Sequence, residues 1–135
     1  MKYTIIAATA LAILVAGCTP VITHAPIKST PEETVTCAGD VLGSMGYRLL
    51  DRELYLRAER AKHVAFGHHT ADYDRITIAV SNERLSVRGE TVSIGGGPSR
   101  PLGAYPHAGA LIAIPPSKEL RADVARITAQ CGGGV

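Results

Sequence analysis

Imidazole and carboxylate groups crowd one stretch of the chain, where His63, His68, His69, Asp72 and Asp74 follow closely on one another. These are the ligand types that take Zn²⁺ or Cu²⁺, and His107 could join them from a glycine-rich segment. Two adjacent histidines diverge on a strand, so His68 and His69 meet one ion only if the connection between strands folds back. A solvent-exposed polar hairpin connection is the simpler reading of the same residues. Serine, histidine and aspartate for a hydrolytic triad are present, yet no serine stands in a nucleophile-elbow setting. Gly95-Gly96-Gly97 could wrap an anion, but neither a lysine nor a helix start follows at phosphate-loop spacing. The expectation is a non-enzymatic protein without a cofactor; a metal- or small-ligand-binding module built on the His68/His69 loop is the alternative.

Cysteine offers the other chemistry, and there are three: Cys18, Cys37 and Cys131. Lys2 precedes a run from Ile5 to Ala16 that is apolar except for Thr9. A membrane-spanning helix needs about 20 apolar residues, so this run is too short to span and fits the hydrophobic region of a secretory signal. It ends in Leu14-Val15-Ala16-Gly17-Cys18, where two small residues leave a peptidase room beside a nucleophilic thiol. This ordering resembles the lipobox of exported bacterial lipoproteins. The resemblance implies a signal peptide over residues 1–17, cleavage before Cys18, and a lipid on Cys18 that tethers the chain to a membrane. In such lipoproteins an aspartate after the cysteine favours the inner membrane; Thr19 stands here, which implies a cell-envelope protein of the outer membrane, facing the periplasm.

With Cys18 assigned to a lipid, Cys37 and Cys131 remain as an even pair in an exported chain, which reads as a disulfide. Two free buried thiols or a metal site are the alternatives, although metal-site cysteines usually come as closely spaced pairs. A bridge between them would close almost the whole domain into a loop, worth about 4 to 5 kcal/mol in chain entropy.

Composition limits the partners. Fourteen Lys and Arg stand against twelve Asp and Glu, a balance that gives no electrostatic case for nucleic acid. There is no Trp and one Phe, so the core must be built from Leu, Ile, Val and Ala. The chain after Cys18 is long enough for one domain.

The elements that would position these groups follow in order. Residues 18–29, with Pro20 and Pro26 and no clear period, read as an extended tether. Thr30-Pro31-Glu32-Glu33 is a capping box with proline at the first helical position. A helix then runs to about Met45, with Val35, Ala38, Val41, Leu42 and Met45 on one face and Gly46 as its left-handed terminator. Strands are expected over 47–51, 54–60, 74–81 and from Leu85 onward. Leu54, Leu56, Ala58, Ile76, Ile78, Val80, Leu85 and Val87 point inward. Val92 and Ile94 have the opposite parity, which predicts a bulge near Gly89. Residues 95–107 read as a loop and 108–114 as a short last strand. A final amphipathic helix covers Ser117 to Gln130, with Leu120, Val124, Ile127 and Cys131 inward and Lys118, Arg121, Asp123 and Arg126 outward. The three glycines from Gly132 end it.

This pattern predicts an α+β fold: an antiparallel sheet of four to five strands with two helices on one face, the helices linked by the disulfide. The single domain would span residues 30–132, with 133–135 as a flexible tail. The order, the Gly46-Tyr47 step into a strand and the Leu56-Arg57-Ala58-Glu59-Arg60 strand resemble small bacterial lipoproteins and, distantly, the helix-grip modules of the BamC lipoproteins of outer-membrane protein assembly. That resemblance implies a binding or assembly role with an envelope protein partner and carries over no catalytic residue. The outward sheet face would present Tyr55, Arg57, Glu59, Arg75, Thr77, Arg84, Ser86 and Arg88. Tyr55, Arg57, Arg75 and Arg88 are its binding candidates, against the plainer reading of a solvated face.

Overall fold

A computed structural model describes residues 19–52, 55–65, 70–94 and 111–133. Helix α1 (Pro31–Ser44) starts where its capping box demands. The Thr30 hydroxyl accepts from the Glu33 amide at 3.2 Å, and the Glu33 carboxylate accepts from the Thr30 amide at 3.3 Å. These bonds satisfy amides that the first turn would otherwise leave open. Its buried stripe is Thr34, Ala38 and Leu42, and the Thr34 hydroxyl is satisfied by the Thr30 carbonyl at 2.9 Å. Gly46 ends the helix at φ 82, a conformation that disfavours any side chain. Helix α2 (Lys118–Cys131) is capped by the Ser117 hydroxyl, which accepts from the Leu120 amide at 3.2 Å. It buries Leu120, Val124, Ile127 and Cys131.

The strands are β1 (Val21–Pro26), β2 (Arg48–Arg52), β3 (Tyr55–Ala65), β4 (Thr70–Ser81), β5 (Arg84–Ile94) and β6 (Leu111–Ile114). The sheet order is β1-β5-β4-β3-β2, every pair is antiparallel, and β6 also pairs with β5. Asn82 and Glu83 join β4 to β5 with φ of 50 and 59. A two-residue turn with both φ positive matches the right-handed strand twist. Leu56, Ala58, Ile76, Ile78, Leu85 and Val87 close on Ala38, Leu42, Leu120, Val124 and Ile127 in one core, so both helices share one face. The Cys37–Cys131 disulfide joins them, with 5.8 Å between Cα atoms across 94 residues of sequence. The fold class and the bridge are thus those expected. Among the described residues no helix is long and apolar enough to cross a membrane.

Four expectations are corrected. Within 18–29, Val21–Pro26 is not a tether but the edge strand β1, in register from Val21 opposite Gly89 to Pro26 opposite Arg84. The two prolines bound the strand, and an edge strand tolerates them because one row of its amides has no ladder to join. With β1 the sheet has six strands rather than four or five. Second, β5 carries no bulge at Gly89: the β4–β5 ladder is unbroken from Ala71 opposite Ile94 to Ser81 opposite Arg84. The irregularities fall in β2 between Leu49 and Asp51 and in β3 between Ala61 and His63. Gly89 is instead where α2 crosses the strand, since a Cβ there would lie 2.6 Å from Val124 Cγ2 and 3.2 Å from Leu120 Cδ1. The inward parity continues through Thr91, while Val92 is buried on the other face beside its register partners Tyr73 and Ala113. Third, Asp123 does not point away from the domain but into it, as described below. Fourth, the tail does not begin at residue 133: Gly132 bridges to Ile27, and the Gly133 amide donates to the Pro26 carbonyl. A Cβ on Gly132 would meet Ala25 Cβ and the Thr128 carbonyl oxygen, each at 2.5 Å, so that glycine is a close-approach position as well as a helix stop.

Candidate functional site

The inward alternation of β3 continues past Leu56 and Ala58 to Arg60, and that of β4 begins at Asp74 before Ile76 and Ile78. These two charged residues are direct register partners, and Thr91 of β5 stands opposite Asp74 on its other side. Asp74 is fully buried and Tyr47 is 5% exposed. Arg60 Nη2 lies 2.7 Å from Asp123 Oδ2 on α2 and 3.3 Å from Asp74 Oδ2, while Nη1 donates to the Met45 carbonyl at 3.0 Å. The Tyr47 hydroxyl donates to Asp123 Oδ2 at 2.9 Å, and the Thr91 hydroxyl to Asp74 Oδ1 at 2.8 Å. The guanidinium also sits 4.4 Å from the centre of the Tyr47 ring, within cation–π range. Lys62 Nζ reaches Asp74 Oδ2 at 3.8 Å. Two cations therefore face two carboxylates.

Chemically, this cluster holds things together. Among the described residues every buried side-chain polar atom has a partner, which is what makes so costly a burial tolerable. Arg60 satisfies a carbonyl at the end of α1, where helices leave such acceptors open, and in the same fork grips α2 and β4. Both Asp74 oxygens are engaged, and Asp123 Oδ2 is shared between Tyr47 and Arg60. Burial pulls the Arg60 guanidinium down, but Tyr47 and Asp123 more than offset that and it ends above its ordinary value.

Burial, the hydrogen bond to Asp123 and the negative charge there push the Tyr47 hydroxyl far above the ordinary tyrosine range, against the opposing pull of Arg60. The folded protein thus keeps this proton where the unfolded chain, near pH 10, releases it. Its stabilising contribution is complete below about pH 10 and is lost as the pH rises above that. Urea titrations between about pH 8 and about pH 11 should show stability falling more steeply in the wild type than in Tyr47→Phe. The difference is at most one proton's worth, about 1.4 kcal/mol per pH unit; parallel curves would rule out this linkage.

Of the expected metal ligands, Asp72 and Asp74 fall within the described residues. Asp72 and Asp74 belong to β4, not to a loop. Asp74 turns inward, where an incoming cation would meet Arg60 and Lys62. Asp72 is half-buried and its register partners are His63 and Ser93. His68, His69 and His107 lie outside the described residues, as does Cys18. Among the described residues no group of three or more His, Cys, Asp or Glu gathers as a metal site.

The opposite face of the sheet is laid out in rows by the registers. One row is Tyr55, Ala79, Ser86 and His24; the next is Asp51, Arg57, Thr77, Arg88 and Ile22; a third is Arg48, Glu59, Arg75 and Glu90. Arg75 is held by Glu59 at 2.7 Å and faces Glu90 at 3.9 Å, and its side chain is 17% exposed. It is committed to the sheet, and this removes it from the four binding candidates. Arg88 meets Glu90 at 3.4 Å yet keeps 51% of its side chain exposed. Arg57 lies 5.8 Å from the Tyr55 ring centre. Tyr55 and Ile22 are 41% and 50% exposed, both large side chains left uncovered. Arg57 and Arg88 flank Thr77 about 10 Å apart, two interstrand spacings. A shallow depression of about 420 Å³ continues the face at the β4–β5 turn, lined by His24, Ser81, Arg84 and Ser86 among others.

No protein-family model matches the chain, and no curated protein matches it. Functional reading therefore rests on the residues themselves. Sequence reasoning overlooked Tyr47, Arg60, Thr91 and Asp123. The parity that put Leu56 and Ile76 inward already carried the signal for Arg60 and Asp74, because it extends by one step to each.

Proposed function

We propose that the chain is a lipid-anchored cell-envelope protein with a non-catalytic domain that binds through its open sheet face. The observation that carries this reading is the placement of Tyr55, Arg57, Arg88 and Ile22 together on an exposed surface, while the buried titratable groups neutralise one another within the fold. A surface of arginine, tyrosine and aliphatic side chains suits binding, and the interior cluster is taken up with joining α1, α2 and the sheet. The disulfide supports export, since such bonds persist in oxidising compartments. The hydrophobic segment ending in Cys18 supports the anchor.

Intact mass of the protein extracted from the membrane fraction tests the anchor. The wild type should begin at Cys18 and carry the added mass of its acyl groups, and Cys18→Ala should accumulate as the uncleaved precursor. Cleavage unchanged in Cys18→Ala would overturn the anchor. For binding, a photo-crosslinking residue at Tyr55 should give adducts in cells that the same residue at Arg121, on the exposed side of α2, does not. Equal yields from both positions would remove the sheet face from the proposal.

A further inference from the structure

We infer that the open sheet face lies on the membrane that holds the anchor, with Arg57 and Arg88 against phosphate-bearing anionic headgroups. This rests on the lipidation of Cys18 proposed above. Only Thr19 and Pro20 separate Cys18 from the first residue of β1, and Thr19 itself has a partner in the protein. Three residues span at most about 10 Å. The lipid must therefore enter the bilayer within that distance of Val21, and only a few orientations of the domain allow it.

An end-on orientation fails. Val21 stands opposite Gly89, and β5 runs five residues further to Ile94, with β6 taking the edge that β1 leaves. That extension projects about 17 Å beyond Val21, further than the anchor reaches. The helix side fails as well. α2 packs on both β1 and β5, and a helix about 10 Å across would stand between Val21 and the lipid. The open face remains, together with the narrow β1/β6 edge.

Side chains favour the face. Ile22, the residue after Val21, projects there half exposed, and Arg88 is its direct register partner. Tyr55 and Arg57 extend the same surface. Tyrosine and arginine are suited to the headgroup layer, with an apolar body and a polar end. By register the face carries Arg48, Arg57, Arg75, Arg84 and Arg88 against Asp51, Glu59 and Glu90, an excess of positive charge. Each basic residue near an anionic surface shifts such an equilibrium about fivefold.

The test is hydroxyl-radical footprinting of the mature lipidated protein in phosphatidylglycerol/phosphatidylethanolamine vesicles, in neutral phosphatidylcholine vesicles and in detergent micelles. Tyr55 and Ile22 should lose labelling severalfold in the anionic vesicles alone, while Met45 on the helix side should not change. Arg57→Gln/Arg88→Gln, which leaves the core untouched, should restore the labelling. Undiminished labelling of Tyr55 in anionic vesicles would overturn the inference and leave the face to a protein partner. Protection of Ile22 without Tyr55 would mean edge-on contact and overturn it too, and equal protection on neutral vesicles would overturn the role of the arginines. The mass of the reconstituted protein reports lipidation of Cys18 separately, so failure of the anchor itself is distinguishable from failure of the docking.

Discussion

Asp74→Ala should cost the domain about 3 to 5 kcal/mol, the range for breaking a buried ion pair by removing one partner. The side chain is fully buried and holds Arg60, Lys62 and Thr91 at once. Its loss leaves a guanidinium with a single carboxylate, that of Asp123, and a buried Thr91 hydroxyl without its acceptor. The stability of such a domain is about 5 to 15 kcal/mol, so a large share of it depends on this residue. Urea unfolding followed by circular dichroism measures the effect. Replacing both members by apolar residues, Arg60→Met/Asp74→Leu, should cost less than the two single changes added together, because the fully buried charge goes together with a cation that faces it and the groups left behind, Asp123 and Lys62, are partly exposed. A loss below about 1 kcal/mol in Asp74→Ala, the level of an exposed pair, would mean that the cluster contributes little.

Loss of the Cys37–Cys131 bond should lower stability by about 4 to 5 kcal/mol if chain entropy governs, as for a loop of about 100 residues. Cys37→Ala/Cys131→Ala gives the measurement, with reduction of the wild type as a second route to the same state. The dependence of stability on urea should also steepen, because an uncrosslinked unfolded chain exposes more surface. A midpoint unchanged on reduction would mean that the helix and sheet contacts alone fix α1 against α2. The bridge and the Asp74 cluster act differently: one restricts the unfolded chain, the other stabilises the folded one. Their effects should therefore nearly add.

The helices were legible in the sequence because their caps are local. Thr30 and Glu33 find each other within one turn, and Ser117 needs only Leu120. The inward sets of β3, β4 and β5 were legible for a related reason, since alternation is a property of each strand alone. What could not be seen depended on distant partners. Val21 to Pro26 reads as a tether until β5 offers it an edge, and Gly89 reads as a bulge until α2 lies over it. Asp123 is polar on a helical wheel, and only the arrival of Tyr47 and Arg60 from another layer turns it inward. For the candidate site, Tyr55, Arg57 and Arg88 were placed on the outward face by parity. The pairing that commits Arg75 to Glu59 required the cross-strand register.

Among the described residues β1 is the one strand outside the covalent loop closed by Cys37 and Cys131, and this gives the domain a defined response to mechanical load. A pull on the chain before Val21, directed along β1, loads its six register pairs with β5 together, in shear. Peeling would have broken them one at a time. The hydroxyl contact between Thr23 and Thr128 and the Ile27–Gly132 bridge pass part of the tension to α2. Should β1 and the start of α1 give way, the chain from Val21 to Cys37 can extend by no more than about 55 Å. When the opposing load acts on the chain after Cys131, the force beyond that point meets a covalent bond, which carries it across to Cys131 and leaves the strands from β2 to β6 out of the loaded path.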